Sequence, residues 1–356
     1  MGKSTKILVI ILIIIIVLAG GIFAYKIYKD KGENIIDLGT DINNNEEKEV
    51  IEVPVKTVQT YKGDDRPIAV MIDNHKGALP QGGLNDAYMV YEIIVEGGES
   101  RLMALFKGVN LEKLGPVRSA RHYFLDYALE NDAIYVHFGW SPQAESDISS
   151  LGVNNINGIS ESSKSFWRVK DKSAPHNVAT STEAILSIAN RKGYRTTSTK
   201  ESILHYVTDE VNLENGISAE TITIPYSQSN TVKYTYNAET KRYQRYSKGV
   251  EETDWVTGEA TTTKNIIITF AKNATLYDGE NKDRQTLYNI GTMDGYYITN
   301  GKAIKIQCEK SSRSAQTVYK DLEGNEINVN DGNTYVQICP IDANVQIEGL
   351  DTPEEL

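Results

Sequence analysis

The sequence predicts an α+β protein: a mixed α/β first lobe, then a β-rich second lobe, both following an N-terminal transmembrane helix. Three observations predict this class. Residues Ile7 to Tyr25 are 19 uncharged, mostly apolar residues, close to the roughly 20 a helix needs to cross a bilayer. From Arg66 to about residue 210, short apolar runs alternate with capped helical patterns. From about Thr221 onward the apolar period changes to two. The division that follows is 1–29 anchor, 30–65 flexible acidic tether, 66–210 first domain and 211–350 second domain.

The anchor is read as uncleaved, because signal-peptide cores usually span about 7 to 15 apolar residues before a small-x-small cleavage site. Lysines flank it on both sides (Lys3 and Lys6, then Lys26, Lys29 and Lys31), so charge alone does not orient it. The very short N-terminal tail favours a single pass with the C-terminal domains extracytoplasmic. The tether is rich in Asn, Glu, Asp and Lys and cannot bury enough apolar surface to offset its ordering entropy.

The folded part is expected to begin at Arg66-Pro67. Ile68 to Ile72 reads as a buried strand ending in the polar loop Asp73-Asn74-His75. Tyr88 to Val95 and Leu102 to Phe106 suit an antiparallel pair around Glu96-Gly97-Gly98-Glu99. A helix is expected from Ala120 to Glu130 with Ser119 as N-cap, then a strand from Ala133 to Phe138. Ser141-Pro142 opens a second helix, closed by Gly152. Thr180 and Glu183 have capping-box spacing for a third, which Gly193 ends. Seven short strand-like runs then lie between Val232 and Cys339, separated by turn signals such as Asn300-Gly301. The 21 tyrosines against 6 phenylalanines suit half-exposed sheet.

A net charge of -11 without a basic tract beyond the N-terminus argues against a nucleic-acid partner. Gly97-Gly98 does not meet G-x-G-x-x-G, and there is no P-loop, so no cofactor is expected. No two histidines have the H-x-x-x-H spacing of a helical metal site, and no metal is expected either. Cys308 and Cys339 are read as one structural disulfide, which an oxidising compartment would permit, with two buried thiols as the alternative.

The polar candidates gather at strand ends and loops of the first lobe. Arg118 and Arg121 stand where the helix is expected to start, and cations there call for an opposing anion. One reading makes them the wall of an anion- or sugar-binding cleft with Asn74, Trp140, Trp167 and His176. The other makes them members of an internal salt-bridge network with Glu92, Glu96 or Glu99. Glu92, Glu96 and His137 are the candidates for acid–base chemistry. Ser119 lacks a G-x-S-x-G elbow.

The runs RPIAVMIDNH (Arg66 to His75), YEIIVEGGESRL (Tyr91 to Leu102), GPVRSARHYF (Gly115 to Phe124), AIYVHFGWSP (Ala133 to Pro142), FWR and APHN (Phe166 to Asn177) resemble the YerB-like family, domain of unknown function 3048. KNIIITF and GYYITNGKAIKI resemble its second domain. The resemblance implies a two-part, membrane-attached, extracytoplasmic protein without established activity. Relatives often carry a Leu-Ala-Gly-Cys lipobox, whereas Leu18-Ala19-Gly20 is followed here by Gly21. Lipidation at that position is excluded, so the helix has to do the anchoring. Two function classes remain: an envelope module binding a cell-wall polymer or envelope protein, and a cell-wall hydrolase or transferase.

Overall fold

β1 (Ile68–Asp73), β2 (Met89–Ile94) and β3 (Ser100–Phe106) are buried at every position, and their continuous apolar runs reflect a sheet covered on both faces. The computed structural model describes residues 56–280 and 282–349. The expected anchor at Ile7 to Tyr25, and the tether up to Val55, lie outside these residues. Among the described residues no helix is long and apolar enough to cross a membrane.

The first half continues with α1 (Phe124–Glu130), β4 (Ile134–His137), α2 (Pro142–Ser150), β5 (Asn155–Asn157) and α3 (Thr182–Arg191). The second half supplies β6 (Thr221–Ser227), β7 (Asn230–Asn237), β8 (Arg242–Ser247), β9 (Asn265–Thr275), β10 (Gly291–Thr299), β11 (Lys302–Lys310), β12 (Val318–Lys320), β13 (Thr334–Pro340) and β14 (Gln346–Glu348). The two halves share one 12-stranded mixed sheet whose main path of ten strands runs β12-β11-β10-β9-β13-β2-β3-β1-β4-β5, with two short strands paired beside β9 and β11. Its seam is the parallel pair β2 and β13, with Met89 opposite Thr334 and Ile93 opposite Ile338. A second sheet, containing β8-β7-β6-β14, covers one face and buries Ile222, Ile224, Val232 and Tyr234 against Val90, Leu102, Ile266 and Ile268. The alternating burial of β6 is that of a sheet with one wet face. α1 packs on the other face, where Phe124, Leu125 and Ala128 meet Met71, Met103 and Val336.

Four expectations need correction. Helix α1 starts at Phe124 rather than Ala120, and its N-cap position is Tyr123, without a side-chain cap. The reason lies in the sheet, because Pro116 to Ala120 is an extended wedge between the diverging ends of β1 and β4. Asp73 N donates to Pro116 O (2.8 Å), Arg118 N to Met71 O (2.8 Å), Phe138 N to Arg118 O (2.9 Å) and Ala120 N to Gly139 O (2.9 Å). Ser119 caps nothing, and its hydroxyl donates to Phe138 O at 3.0 Å.

Second, α3 is capped by Ser181, whose Oγ accepts from Ala184 N at 3.1 Å. Thr180 is instead held by backbone bonds to Leu114. Ser141 caps α2 as expected.

Third, residues 56–65 are a strap fastened to the body rather than a free tether. Asp331 accepts from the backbone N of Gln59 and of Thr60 (both 2.8 Å). Tyr61 donates to Lys200 O at 2.9 Å and meets Tyr88 edge-on at 5.2 Å.

Fourth, Cys308 and Cys339 are free, buried thiols. Cys308 on β11 and Cys339 on β13 have β10 and β9 between them and belong to the cores on opposite faces of the sheet. Three strand spacings, about 14 Å, far exceed the Cβ separation of about 4 Å that a disulfide needs.

Candidate functional site

Ligands of sheets with parallel strands are commonly received beyond the carboxyl ends, where neighbouring strands diverge. β1 and β4 are parallel and diverge around the Pro116 to Ala120 wedge. Asp73 ends β1 there, and its carboxylate organises the surface. Oδ1 accepts from His75 N at 3.0 Å, while Oδ2 lies 2.7 Å from His176 Nδ1 and 3.3 Å from Arg118 Nε. The rings of His75 and His176 stack, with centroids 4.1 Å apart and planes within 10°. Gly77 N donates to His75 Nδ1 at 3.0 Å. A Cβ at Gly77 would stand 3.2 Å from His176 Cδ2 and 3.3 Å from His75 Nδ1, which is why a glycine sits under the pair.

The two arginines of the wedge part company. Arg121 is saturated: Nε donates to Glu96 Oε2 at 2.9 Å, Nη2 to Glu96 Oε1, and Nη1 to Ala120 O at 2.7 Å. Arg101 completes that knot, with Nη1 on Ser119 O at 2.6 Å and Nη2 3.5 Å from Glu96. Burial alone would raise the Glu96 carboxyl, but the Arg121 hydrogen bonds, with Arg101 beside them, hold it at about 2. Such a group is an ionised partner rather than a proton donor. Arg118 differs. Its side chain is 27% exposed, its one carboxylate contact among the described residues is Asp73, its buried Nε has no hydrogen bond, and neither Nη1 nor Nη2 hydrogen-bonds a described residue.

The remaining candidates go elsewhere. Glu92 is fully buried between the sheets, accepting from Ser100 Oγ at 2.6 Å, Asn74 Nδ2 at 3.0 Å and Arg245 Nη2 at 2.6 Å. Asn74 also accepts from Gln81 Nε2 at 2.9 Å, so it is spent inside the fold and is not a ligand contact. His137 is fully buried on the other face, with Nδ1 at 2.8 Å from Gly139 O, and burial pushes its pKa down to about 4. Glu92 and His137 are three strand spacings apart on opposite faces, which rules out the expected carboxylate–histidine partnership. Trp140 is half-buried against His137 at 5.5 Å. Trp167, also half-buried, lies in a two-residue strand paired with Val178 and Ala179.

Thus Arg118 and His176 are brought together, whereas Glu92, Glu96, Arg121, Asn74 and His137 are consumed by internal bonds. The organising residue is Asp73, which sequence reasoning placed among the loop polars without giving it a role. Its signal was a carboxylate ending a buried run directly before Asn74-His75. Larger concavities of about 640, 540 and 360 Å³ border the strap and the other end of β1, around Tyr61, Asp65 and Arg66. The Asp73 cluster lines none of these three. Among the described residues no three His, Cys, Asp or Glu side chains gather to hold a metal ion.

Two family profiles match the chain, both described as protein of unknown function (DUF3048): the N-terminal domain over residues 55–195 and the C-terminal domain over residues 222–336. The chain is 31% identical over 283 residues to the "Putative lipoprotein YerB" of Bacillus subtilis (strain 168), covering 77% of this chain and 81% of that protein. The crystal structure of YerB from Bacillus subtilis superposes with a TM-score of 0.71 at 30% identity, over 80% of this chain and 94% of that one.

Proposed function

The chain belongs to the DUF3048 family, and from that premise we propose that it is a membrane-anchored, extracytoplasmic envelope protein that binds an anionic ligand at the Asp73 cluster. The carrying observation is the unengaged fork of Arg118. A guanidinium whose Nε stands 3.3 Å from a carboxylate oxygen that His176 shares, with no hydrogen bond from its side chain to any described residue, is pre-positioned for an oxyanion. The name of the Bacillus relative supports an envelope location. The first cysteine here is Cys308, so the stretch Ile7 to Tyr25, rather than a lipidated cysteine near it, serves as the anchor. The ligand would come from a cell-wall polymer or an envelope partner.

A second reading, a cell-wall hydrolase or transferase, now rests on a different pair from Glu92 and His137. A carboxylate oxygen 2.7 Å from His176 Nδ1 is the arrangement that orients an imidazole for proton transfer at Nε2. One experiment separates the two. The full-length chain in mild detergent is mixed with anionic cell-wall fragments, and both binding and product formation are followed for wild type, Arg118→Ala and Asp73→Asn. The binding reading expects affinity to fall at least tenfold in Arg118→Ala with no product from wild type. Product that disappears in Asp73→Asn would favour the catalytic reading, and binding unchanged in Arg118→Ala would defeat the first.

A further inference from the structure

We propose that the group received beside Asp73 is the terminal phosphate of a monoester, a specification that rests on the anion-binding reading above. Three side chains around Asp73 present polar atoms without a hydrogen bond to any described residue: Arg118 through Nη1 and Nη2, His176 through Nε2, and His75 through Nε2. The groups that carry them are neighbours. Arg118 Nε and His176 Nδ1 contact the same oxygen at 3.3 and 2.7 Å, so they lie within about 6 Å of each other. The His75 ring stands 4.1 Å from that of His176.

The proton inventory decides the ligand class. Gly77 N donates to His75 Nδ1, which places that ring's proton on Nε2 and makes it a donor. Asp73 Oδ2 accepts from His176 Nδ1 at 2.7 Å, which leaves Nε2 of that ring to accept from a P–OH. A terminal phosphate exchanges its second proton near pH 6 and offers three oxygens in tetrahedral directions. It can therefore meet two imidazoles and a guanidinium fork at once. A carboxylate or a phosphodiester has only two charged or free oxygens and no proton to share near neutral pH. The local charge agrees, since among the described residues Arg101, Arg118 and Arg121 pair only with the carboxylates of Asp73 and Glu96, and Glu99 near His75 is paired with Lys248.

The test is calorimetric titration of the full-length chain in mild detergent near pH 7 with inorganic phosphate, glycerol 3-phosphate, dimethyl phosphate and acetate. The first two should bind saturably and the last two at least tenfold more weakly. Arg118→Ala should weaken phosphate binding at least tenfold, and the exposed-site variant His75→Ala severalfold with its circular dichroism unchanged. Acetate or dimethyl phosphate binding as tightly as phosphate would overturn the monoester while leaving the anion site standing. Absence of binding by all four, or phosphate binding indifferent to both substitutions, would overturn the proposal and the anion site together.

Discussion

Replacing Arg245 with methionine should unfold the protein far more readily, because this one side chain neutralises two carboxylates between the sheets. Arg245, Glu92 and Glu252 are almost entirely excluded from solvent. Nη2 lies 2.6 Å from Glu92, Nη1 contacts Glu252, and the guanidinium carbon sits 5.9 and 5.5 Å from the rings of Tyr234 and Tyr335. At an effective dielectric constant of 20 each such pair is worth about 4 kcal/mol, and removing one member of a buried pair typically costs about 3–5 kcal/mol. Burial already pushes the Glu252 carboxyl up, so on loss of the arginine that group can take a proton. Glu92 is then the carboxylate left without its arginine. The expected loss for Arg245→Met is therefore about 3–5 kcal/mol rather than twice that. Equilibrium urea unfolding followed by tyrosine fluorescence and circular dichroism measures it. Adding Glu92→Gln and Glu252→Gln should recover most of the loss, since none of the three charges of this cluster is then left. A loss below about 1 kcal/mol in the single variant would refute the reasoning, because burial of that charge would not have mattered.

Two further outcomes follow from the same structure. A chain starting at Arg66 should be less stable than one starting at Lys56 by about 2 kcal/mol, through loss of the two Asp331 backbone bonds and the Tyr61 packing; equal thermal midpoints would mean that the strap is only draped on the surface. His137, held near 4 by burial against an ordinary 6.5, must stay neutral in the fold, so its contribution is complete above about pH 6.5 and is lost as pH falls towards 4. The shift corresponds to roughly 3 kcal/mol, read as a fall in thermal midpoint between pH 7 and 4.5 that His137→Gln should flatten, and an unaltered pH slope in that variant would count against it.

What was legible in the sequence is what local pattern determines. β1 shows as an apolar run because both its faces are covered, and β6 to β8 show as period two because one face is wet. Ser141-Pro142 starts α2 because a cap needs only its own next three residues. What was hidden depends on partners far along the chain. Ala120 had helical periodicity, yet Pro116 to Ala120 gain strand partners from β1 and from the residues just past β4, and those bonds outweigh propensity. Glu92 looked like a catalytic carboxylate until Arg245, 153 residues away, closed on it. Arg118 and Arg121 are equivalent by composition, and only the fold gives Glu96 to one and a shared Asp73 to the other. The cysteines were misread for a related reason, since strand order and face are not set by spacing.

Whether Arg118 is a ligand contact or a structural bond is tested most directly by the thermal midpoint of wild type and Arg118→Ala, measured with and without saturating inorganic phosphate. A ligand that binds only the folded state at 100 times its dissociation constant stabilises by about 2.7 kcal/mol. Wild type should therefore rise by several degrees on adding phosphate, while Arg118→Ala should match wild type without phosphate to within about 1 kcal/mol, as expected for a partly exposed ion pair, and with its affinity at least tenfold weaker should gain no more than about 1.4 kcal/mol from the same phosphate. If Arg118→Ala instead lowers the midpoint by many degrees in the absence of phosphate, and phosphate raises both proteins equally, the arginine belongs to the structural network and the account of the site is wrong.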